Sequence, residues 1–341
     1  MAGASQGGKR SQREEARRDA DGRKNIPGER RRDPPRPLQR LMFDLVTIGH
    51  TARDEFDGDP EWRIGGTATY AAAAAACLGD RVALLTRVGP NERERLAARC
   101  AELGIELHAL ESAVTTTFSF RYVEGRRRLR LKARAKGIGA EAIPSALRDT
   151  RAVVLASIAH EIEPSVFEIY GAVPRVLAAQ GYLRSWDADG TVRRREWDEA
   201  HDVLERVSVA VVSEEDIEGN LDLARGWART APVIVTIAER GAIVLRGGRE
   251  VQVGGFPADE VIDQTGAGDA FCAGLALGLA DGDDLEAATR FANAVASFAV
   301  EGVGTVTLAS REQVQARMQR HSSSLPSRSS SDGAPPGRTI P

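Results

Sequence analysis

The sequence predicts an α/β fold with a mainly parallel central sheet. Short apolar runs such as Phe43–Ile48 have the length and composition of buried strands. Helical segments separate these runs, among them the alanine-rich segment 67–78, which Gly79 ends as a C-terminal cap. Regular alternation of strand and helix is typical of a parallel sheet covered by helices on both faces.

The same alternation continues along the chain. Asn91 and Glu94 have the spacing of a capping box and predict that a helix opens there. Gly247 and Gly248 suit the tight turn of a hairpin between 242–245 and 250–253. The remaining predicted strands are 81–88, 152–158, 207–212 and 233–237, and the remaining predicted helices are 91–104, 197–206, 221–229, Leu285–Ala299 and 311–320.

Residues 115–123 and 128–133 have a different pattern, because apolar and polar side chains alternate in both. This alternation predicts an antiparallel hairpin with one solvated face, in a small accessory sheet. Arg121 and Arg134 in this hairpin are candidates for substrate contact, although arginines on a solvated sheet face need no such role.

The composition of the segments at both ends of the chain predicts disorder. Residues 1–40 carry 12 basic and 6 acidic residues without apolar periodicity. We expect a solvated extension and no nucleic-acid contact, because acids interrupt the basic run and no aromatic residue is present to stack on bases. The glycine-rich stretch 3–10 lacks the Ser or Thr, the strand and the helix of a P-loop. Residues 321–341 form a low-complexity tail.

Several protein classes are excluded by what the sequence lacks. No apolar run reaches the roughly 18 to 20 residues of a membrane span, and no signal peptide opens the chain, so we expect a cytoplasmic protein. Cys77, Cys100 and Cys272 lie in apolar helical patterns and are predicted to be reduced core thiols. The five histidines have no ligand spacing, so no transition-metal site is expected.

The stretch Thr-Gly-Ala-Gly-Asp at 265–269 is the strongest functional signal. Glycine lets the backbone approach a ligand closely, and the apolar segment that follows predicts a helix whose positive N-terminus binds anions. Asp269 places a carboxylate beside this anion site, and Asp263 supplies a second acid nearby. The alternative is an ordinary glycine turn with an aspartate as N-cap.

Other polar groups follow predicted strands, where ligands gather in open α/β sheets. Asp54 comes after the first strand, and the glycine pair Gly65-Gly66 opens the alanine-rich helix. The acidic run 213–216 follows another strand and is either a solvated loop or a water-mediated Mg²⁺ contact.

The residues 263–269, with Gly65-Gly66 and Asp54 before them, resemble the ribokinase-like, PfkB-type carbohydrate kinases. The resemblance covers 41–320. It implies a three-layer α/β/α domain with a small β-sheet lid, whose strands fall within about 50–65 and 115–134. It also implies that the lid covers the substrate and often pairs two subunits into a homodimer.

The resemblance also assigns roles. Asp269 would be the general base, and Gly266, Ala267 and Gly268 would form the anion hole. Asp54, Gly65 and Gly66 would bind the polyol or sugar, and Tyr70 stands where sugar kinases commonly carry asparagine. The residues implied on the ATP side are Ser213, Thr236, Gly241, Thr265 and Asn293.

Two positions depart from the family pattern. Ala238 replaces the usual glycine of the phosphate and ribose loop, and Ser213 replaces the asparagine of an Asn-x-x-Glu motif whose last acid is here Asp216. Asp216 is therefore the candidate contact to Mg²⁺, through water or phosphate. Activation by a monovalent cation is common in the family.

The expected function is an ATP- and Mg²⁺-dependent kinase that phosphorylates a hydroxyl of a small polyol or sugar, with cyclitols first because segment 67–70 is similar to that of myo-inositol kinases. One alternative is a nucleoside kinase of the same fold, although few aromatic residues are available to stack on a base. The other is a catalytically silent nucleotide-binding regulator.

Overall fold

A computed structural model describes residues 42–123, 126–305 and 307–323 of the chain. The basic arm, the P-loop-like stretch within it, the turn at 124–125 and most of the low-complexity tail lie outside these residues, so the expectations for them stay predictions.

In chain order the described strands are β1 Phe43–Ile48, β2 Ala52–Phe56, β3 Trp62–Gly65, β4 Val82–Val88, β5 Glu106–Glu111, β6 Thr116–Val123, β7 Arg126–Ala133, β8 Thr150–Ala156, β9 Arg175–Ala178, β10 Arg184–Trp186, β11 Val192–Arg194, β12 Val209–Ser213, β13 Val233–Thr236, β14 Ala242–Arg246 and β15 Arg249–Val253. The described α-helices are α1 Thr67–Cys77, α2 Pro90–Glu102, α3 Ala200–Leu204, α4 Leu221–Trp227, α5 Ala267–Ala280, α6 Leu285–Ala299 and α7 Arg311–Ser323.

The main sheet has nine strands in the order β15-β14-β13-β12-β9-β8-β1-β4-β5. Neighbouring strands from β13 to β5 pair in parallel, and β14 and β15 pair antiparallel at one edge. The carboxyl ends of the parallel strands therefore share one edge, where loops converge to form ligand sites in such sheets.

Helices cover both faces of this sheet. One apolar cluster packs α1, α2, α5 and α6 against it, and a second packs the other face against α3, α4 and several short 3-10 turns. The α1 helix is buried almost all round because its alanines let it fit closely between the sheet and α5. This arrangement confirms the predicted α/β architecture with three layers. Cys100 and Cys272 are buried and Cys77 is half-buried, all three as thiols.

A separate four-stranded sheet, in the order β3-β2-β6-β7, forms the predicted lid. The hairpin of β6 and β7 has the expected antiparallel register. Its apolar face, which includes Phe118, Phe120 and Leu131, packs against Ile158 and Ala159 in the loop after β8. The lid thus lies against loops at the carboxyl edge of the main sheet.

Some local predictions were wrong. The α2 helix begins at Pro90 with Gly89 as its N-cap and no side-chain cap, so Asn91 and Glu94 form no capping box. Proline fits there because its missing N–H is one that the first turn leaves unbonded in any case. The helix predicted at 197–206 is only Ala200–Leu204. The short strands β5, β9, β10 and β11 were not predicted.

Among the helices of the described residues, none combines the length and apolarity that a bilayer crossing requires.

Candidate active site

The glycine-rich stretch adopts the geometry of an open helix N-terminus. Gly266 is the N-cap of α5 with φ of 87° and makes no side-chain cap. A Cβ on Gly266 would lie 2.4 Å from the Tyr70 ring, so this position requires glycine for both conformation and space. A Cβ on Gly268 would meet nothing within 4 Å, which leaves the first turn of the helix open to an approaching ligand.

Asp269 lies inside this first turn and is not the N-cap, since Ala267 and Gly268 precede it in the helix. Its side chain is partly exposed, yet the surrounding protein removes enough water to raise the pKa of the carboxyl to about 6. A hydrogen bond from the Thr67 side chain and the charge of Arg184 oppose this rise, while the charge of Asp216 adds to it. The result is a basic carboxylate at the positive end of a helix.

The predicted acceptor residues meet between the lid and α1. Asp54 lies on lid strand β2 and is 9% exposed. A Cβ on Gly65 would lie 2.0 Å from Oδ2 of Asp54, so glycine is needed for this carboxylate to keep its place. Gly66, with φ of 97°, is the N-cap of α1.

The phenol of Tyr70 responds to carboxylates of both the lid and the α5 region. Burial raises the pKa of its phenol, and the negative charges of Asp54, Asp269 and Asp263 raise it further. The same hydroxyl therefore lies within electrostatic range of the lid carboxylate and of the carboxylate on α5. The structure thus brings Asp54, Gly65, Tyr70 and the N-terminus of α5 together, and their roles in binding stay predictions.

Arg134 has a different setting. Its guanidinium donates hydrogen bonds to the carbonyls of Ala159 at 2.6 Å and His160 at 2.7 Å. It lines a cavity of about 430 Å³ with His160, Ser185, Trp186 and Arg195. Arg121, on the same hairpin, is exposed and pairs with Asp57 at 3.1 Å. Arg134 thus joins the end of the lid to the loop after β8, and Arg121 forms an ion pair on the lid surface. A substrate contact by either arginine stays a prediction.

Arg184 is a charged group near the site that the sequence did not reveal. It donates to the carbonyl of Ile158 at 3.4 Å, and its guanidinium carbon lies 5.6 Å from the ring centroid of Phe118 in the lid. Its charge also lowers the pKa of Asp269. Arg184 belongs to a three-residue strand in no recognisable motif, so no sequence signal identifies it.

The acidic run after β12 forms a compact turn. The backbone N–H of Ser213 donates to Oδ2 of Asp216 and the backbone N–H of Asp216 donates to the Ser213 hydroxyl, both at 3.0 Å. Gln180 donates to Oδ1 of Asp216 at 3.1 Å. Glu214 is paired with Arg240. Of this run, Asp216 is the acid whose charge acts on Asp269.

The remaining predicted donor-side residues lie at β13, just before β14 and on helix α6. Thr236 ends β13 beside Ser213, its partner in register on β12. Gly241 has φ of 95° and packs so tightly on the strand after β14 that a Cβ would lie 2.2 Å from the Val253 carbonyl. Asn293 is buried on α6, where its amide donates to the carbonyls of Val253 and Gly254, both at 3.1 Å. Asn293 therefore holds this loop in place.

Ala238 and Thr265 are the other two residues of the predicted donor side. Ala238 has φ of 51°, a left-handed conformation that glycine adopts without strain. The backbone N–H of Thr265 donates to Oδ1 of Asp263 at 2.9 Å, which fixes the turn before α5.

Comparison with known proteins gives concordant results. The chain is 27% identical over 269 residues to a cytidine kinase from Thermococcus kodakarensis, covering 73% of this chain and 93% of that protein. It is similar in structure to a pyrophosphate-dependent kinase of the ribokinase family complexed with a pyrophosphate analogue and myo-inositol, with a TM-score of 0.66, 23% identity and coverage of 80% and 99%. Arabidopsis thaliana ribokinase complexed with ribose and ATP gives a TM-score of 0.64 at 19% identity, with coverage of 82% and 99%.

The family model for pfkB family carbohydrate kinases matches residues 43–312, which includes the whole main sheet, the lid and the N-terminus of α5. The chain therefore belongs to the pfkB family of carbohydrate kinases.

Proposed function

We propose that the protein transfers a phosphoryl group from ATP to a hydroxyl of a small polyol or sugar, with cyclitols as the first substrate class to test. The observation that carries this proposal is the Asp269 carboxylate, whose raised pKa and position in the first turn of α5 suit a base beside an anion site. Phosphoryl transfer depends mainly on positioning and charge neutralisation, with one carboxylate orienting the nucleophile.

In the proposed reaction Asp269 accepts the proton of the attacking hydroxyl. A pKa of about 6 leaves the carboxylate ionised at neutral pH while keeping it a stronger base than an ordinary aspartate. The hydrogen bond from Thr67 orients it. The backbone N–H groups of Gly266, Ala267 and Gly268 form the proposed anion hole, because N–H groups at a helix N-terminus have no intrahelical partners. The N–H of Ala267 also makes a long hydrogen bond of 3.4 Å to the Gln264 carbonyl in the turn before the helix.

Asp54 provides the acceptor side of the proposed site. A carboxylate can accept hydrogen bonds from two neighbouring hydroxyls, which suits a polyol. Gly65 leaves room for the Asp54 carboxylate, and Gly66 lets α1 start close to the backbone of His50. Tyr70 presents a phenol that burial and three carboxylates keep protonated. The positive charge of Arg184 near Asp269 favours the negative charge that collects during transfer.

Ser213, Thr236, Gly241, Thr265 and Asn293 shape the proposed ATP side, chiefly through the loops that they fix. Among the described residues no group of three or more His, Cys, Asp or Glu side chains is placed to hold a metal. Each oxygen of Asp216 already accepts one hydrogen bond, so this carboxylate suits contact with Mg²⁺ through water better than direct ligation. When bound, Mg²⁺ would neutralise the charge of the donor phosphates.

A nucleoside acceptor is the second candidate, and it is favoured by the relative from Thermococcus kodakarensis, which is a cytidine kinase that matches over most of its length. Two aromatic residues lie near Asp54: Tyr70, whose pKa its charge raises, and Phe118, its register partner on the neighbouring lid strand. The acceptor panel must therefore include nucleosides beside cyclitols and sugars.

The test is initial-rate measurement of phosphoryl transfer with Mg·ATP, and with pyrophosphate as a second donor, against this panel. Gly268→Ala is the informative variant because its methyl group would meet no protein atom and only an approaching phosphate. We expect it to slow transfer by about 100-fold, the order expected from a displacement of about 1 Å at a reacting group.

Gly226→Ala on α4 is the matched control, since it also adds a methyl group to a helical glycine that has open space around it. It should transfer phosphate at the wild-type rate. Equal rates for both variants would contradict the proposed phosphate site. If ATP binds and no acceptor in the panel stimulates turnover, the silent-regulator alternative replaces the proposal.

A further inference from the structure

Two buried titratable residues outside the proposed chemistry lie at the base of the lid. His50 connects β1 of the main sheet to lid strand β2 and is fully buried. Glu161 lies in the loop after β8 and is fully buried as well. Burying a charged carboxylate costs free energy unless hydrogen bonds or an opposite charge compensate it. The contacts of this buried pair must therefore supply that compensation.

The contacts of His50 define its protonation. Nε2 lies 2.8 Å from the Lys136 carbonyl, which only accepts, so Nε2 carries a proton and donates it. Burial lowers the pKa of His50 more than the attraction of Glu161 raises it, so the ring is neutral and Nδ1 accepts from the Thr116 hydroxyl at 2.8 Å. The Thr116 oxygen in turn accepts from the Ala135 N–H at 3.0 Å.

Glu161 is ionised in spite of its burial. Burial disfavours the charge, but hydrogen bonds from three backbone N–H groups favour it, and the pKa of Glu161 lies below its ordinary value. Those N–H groups belong to His50 at 3.1 Å, Ile158 at 3.0 Å and Ala159 at 2.8 Å, and the Ser157 hydroxyl adds a fourth donor at 3.2 Å. The loop after β8 is thus folded around its own carboxylate.

All four connections between the main sheet and the lid meet at this network. The first runs through His50 itself. The second enters β6 at Thr116, and the third leaves the lid through Ala135 and Lys136. The fourth runs from β3 into α1 at Gly66, where a Cβ would lie 2.3 Å from the His50 carbonyl.

From this convergence we propose that His50 and Glu161 are positioning residues that lock the base of the lid to the main sheet and so hold Asp54 in place over the acceptor. Glu161 fixes the backbone of His50, and the imidazole of His50 fixes both the entry to β6 and the exit from β7. Both ring nitrogens of His50 and both carboxylate oxygens of Glu161 have hydrogen-bond partners, so each side chain joins several segments at once.

The consequence for turnover rests on the proposed function. A lid that is held in place positions the acceptor and keeps water from the phosphoryl group. Loosening the lock should raise the KM for the acceptor and increase hydrolysis of ATP relative to transfer. The KM for ATP should change little, because the predicted donor residues lie outside the lid.

Thr116→Val tests the lock, because it preserves the shape of a fully buried side chain and removes the hydroxyl that joins His50 to the Ala135 N–H. Thr150→Val is the matched control, since Thr150 is also buried but bonds the carbonyls of Phe43 and Ala152 in the main sheet. Glu161→Gln is a second test, which replaces one acceptor oxygen by a donor amide.

The primary measurement is hydrogen exchange of backbone amides, which needs no substrate. In Thr116→Val we expect the amides of β2 and β6 to exchange about tenfold faster, as the loss of one buried hydrogen bond implies, while those of β12 and β13 keep their wild-type rates. Glu161→Gln should show the same selectivity for the lid, and Thr150→Val should not.

Exchange that accelerates equally in the lid and in the main sheet of Thr116→Val would overturn the proposal. A selective loss of lid protection without any transferase activity would keep the lock and refute the proposed function. If the wild type has transferase activity but the lid of Thr116→Val exchanges as in the wild type, the proposed function stands and the lock is refuted.

Discussion

Replacing Asp269 by asparagine should stabilise the protein while abolishing most of its activity. The pKa of this carboxyl rises from an ordinary 3.8 to about 6, mainly because burial disfavours its charge. A difference of about two pKa units corresponds to about 3 kcal/mol in the free energy of unfolding. Because Asp269 keeps some exposure to water, we take this value as an upper limit.

The sign follows from the raised pKa. A group with a higher pKa in the folded state favours folding at low pH, and that stability is lost as the pH rises through about 6. Asparagine cannot ionise and can still accept the hydrogen bond from Thr67. The variant should therefore match the wild type near pH 4 and exceed it by about 1 to 3 kcal/mol at pH 8.

Urea unfolding of both proteins at several pH values between 4 and 8 measures this difference. Asp189→Asn is a control of opposite sign, because hydrogen bonds from the Thr191 backbone and hydroxyl lower the pKa of that exposed aspartate. It should not stabilise the protein at any pH. A gain for Asp269→Asn that is independent of pH, or a loss at pH 8, would refute the assignment of Asp269 as a desolvated base.

Three further predictions follow from the geometry. The kcat/KM of the wild type should fall about tenfold per pH unit below about pH 6 as Asp269 gains its proton, and a profile that is flat from pH 5 to 7 would contradict its role as base. Gly65→Ala would place a Cβ 2.0 Å from the Asp54 carboxylate, so steady-state kinetics should show a higher KM for the acceptor and an unchanged KM for ATP; equal changes in both would argue against an acceptor role for Asp54. Ala238→Gly should raise the free energy of unfolding by about 1 kcal/mol because φ is 51° at this position, and thermal or urea denaturation that shows a loss would be inconsistent with strain there.

Parts of the fold follow directly from local sequence. The strand Phe43–Ile48 and the helix Leu285–Ala299 have the predicted bounds. The strand is a mainly apolar run that Gly49 ends, and the helix has a strongly amphipathic pattern with Asp284 capping its first turn. Such elements carry their own start and stop signals.

Other parts depend on contacts between distant segments. Strand β9 is only Arg175–Ala178 and forms because β8 and β12 lie on either side of it. The lid strand Ala52–Phe56 contains more charged than apolar residues, and only the family resemblance placed a strand in this region. Neither segment has a local pattern that outweighs the alternatives.

The candidate site divides in the same way. The glycines and Asp269 were predictable because they form one continuous motif whose chemistry needs those residue types. The lock of His50 with Glu161 and the position of Arg184 were not predictable, because their partners are far away in sequence and a single His, Glu or Arg has many structural uses. Arg184 and Arg134 both donate to carbonyls of the loop after β8, and geometry was needed to show that Arg184 also lies near Asp269.

The most direct test of the central claim is transfer of the labelled γ-phosphoryl group of ATP to the best acceptor, by the wild type and by Asp269→Asn in parallel. We predict a labelled phosphate ester with the wild type and a rate about 10²- to 10⁴-fold lower with the variant, at unchanged affinity for ATP. A variant that transfers the label at the wild-type rate would contradict the account. So would a wild-type protein that releases the label only as inorganic phosphate with every acceptor.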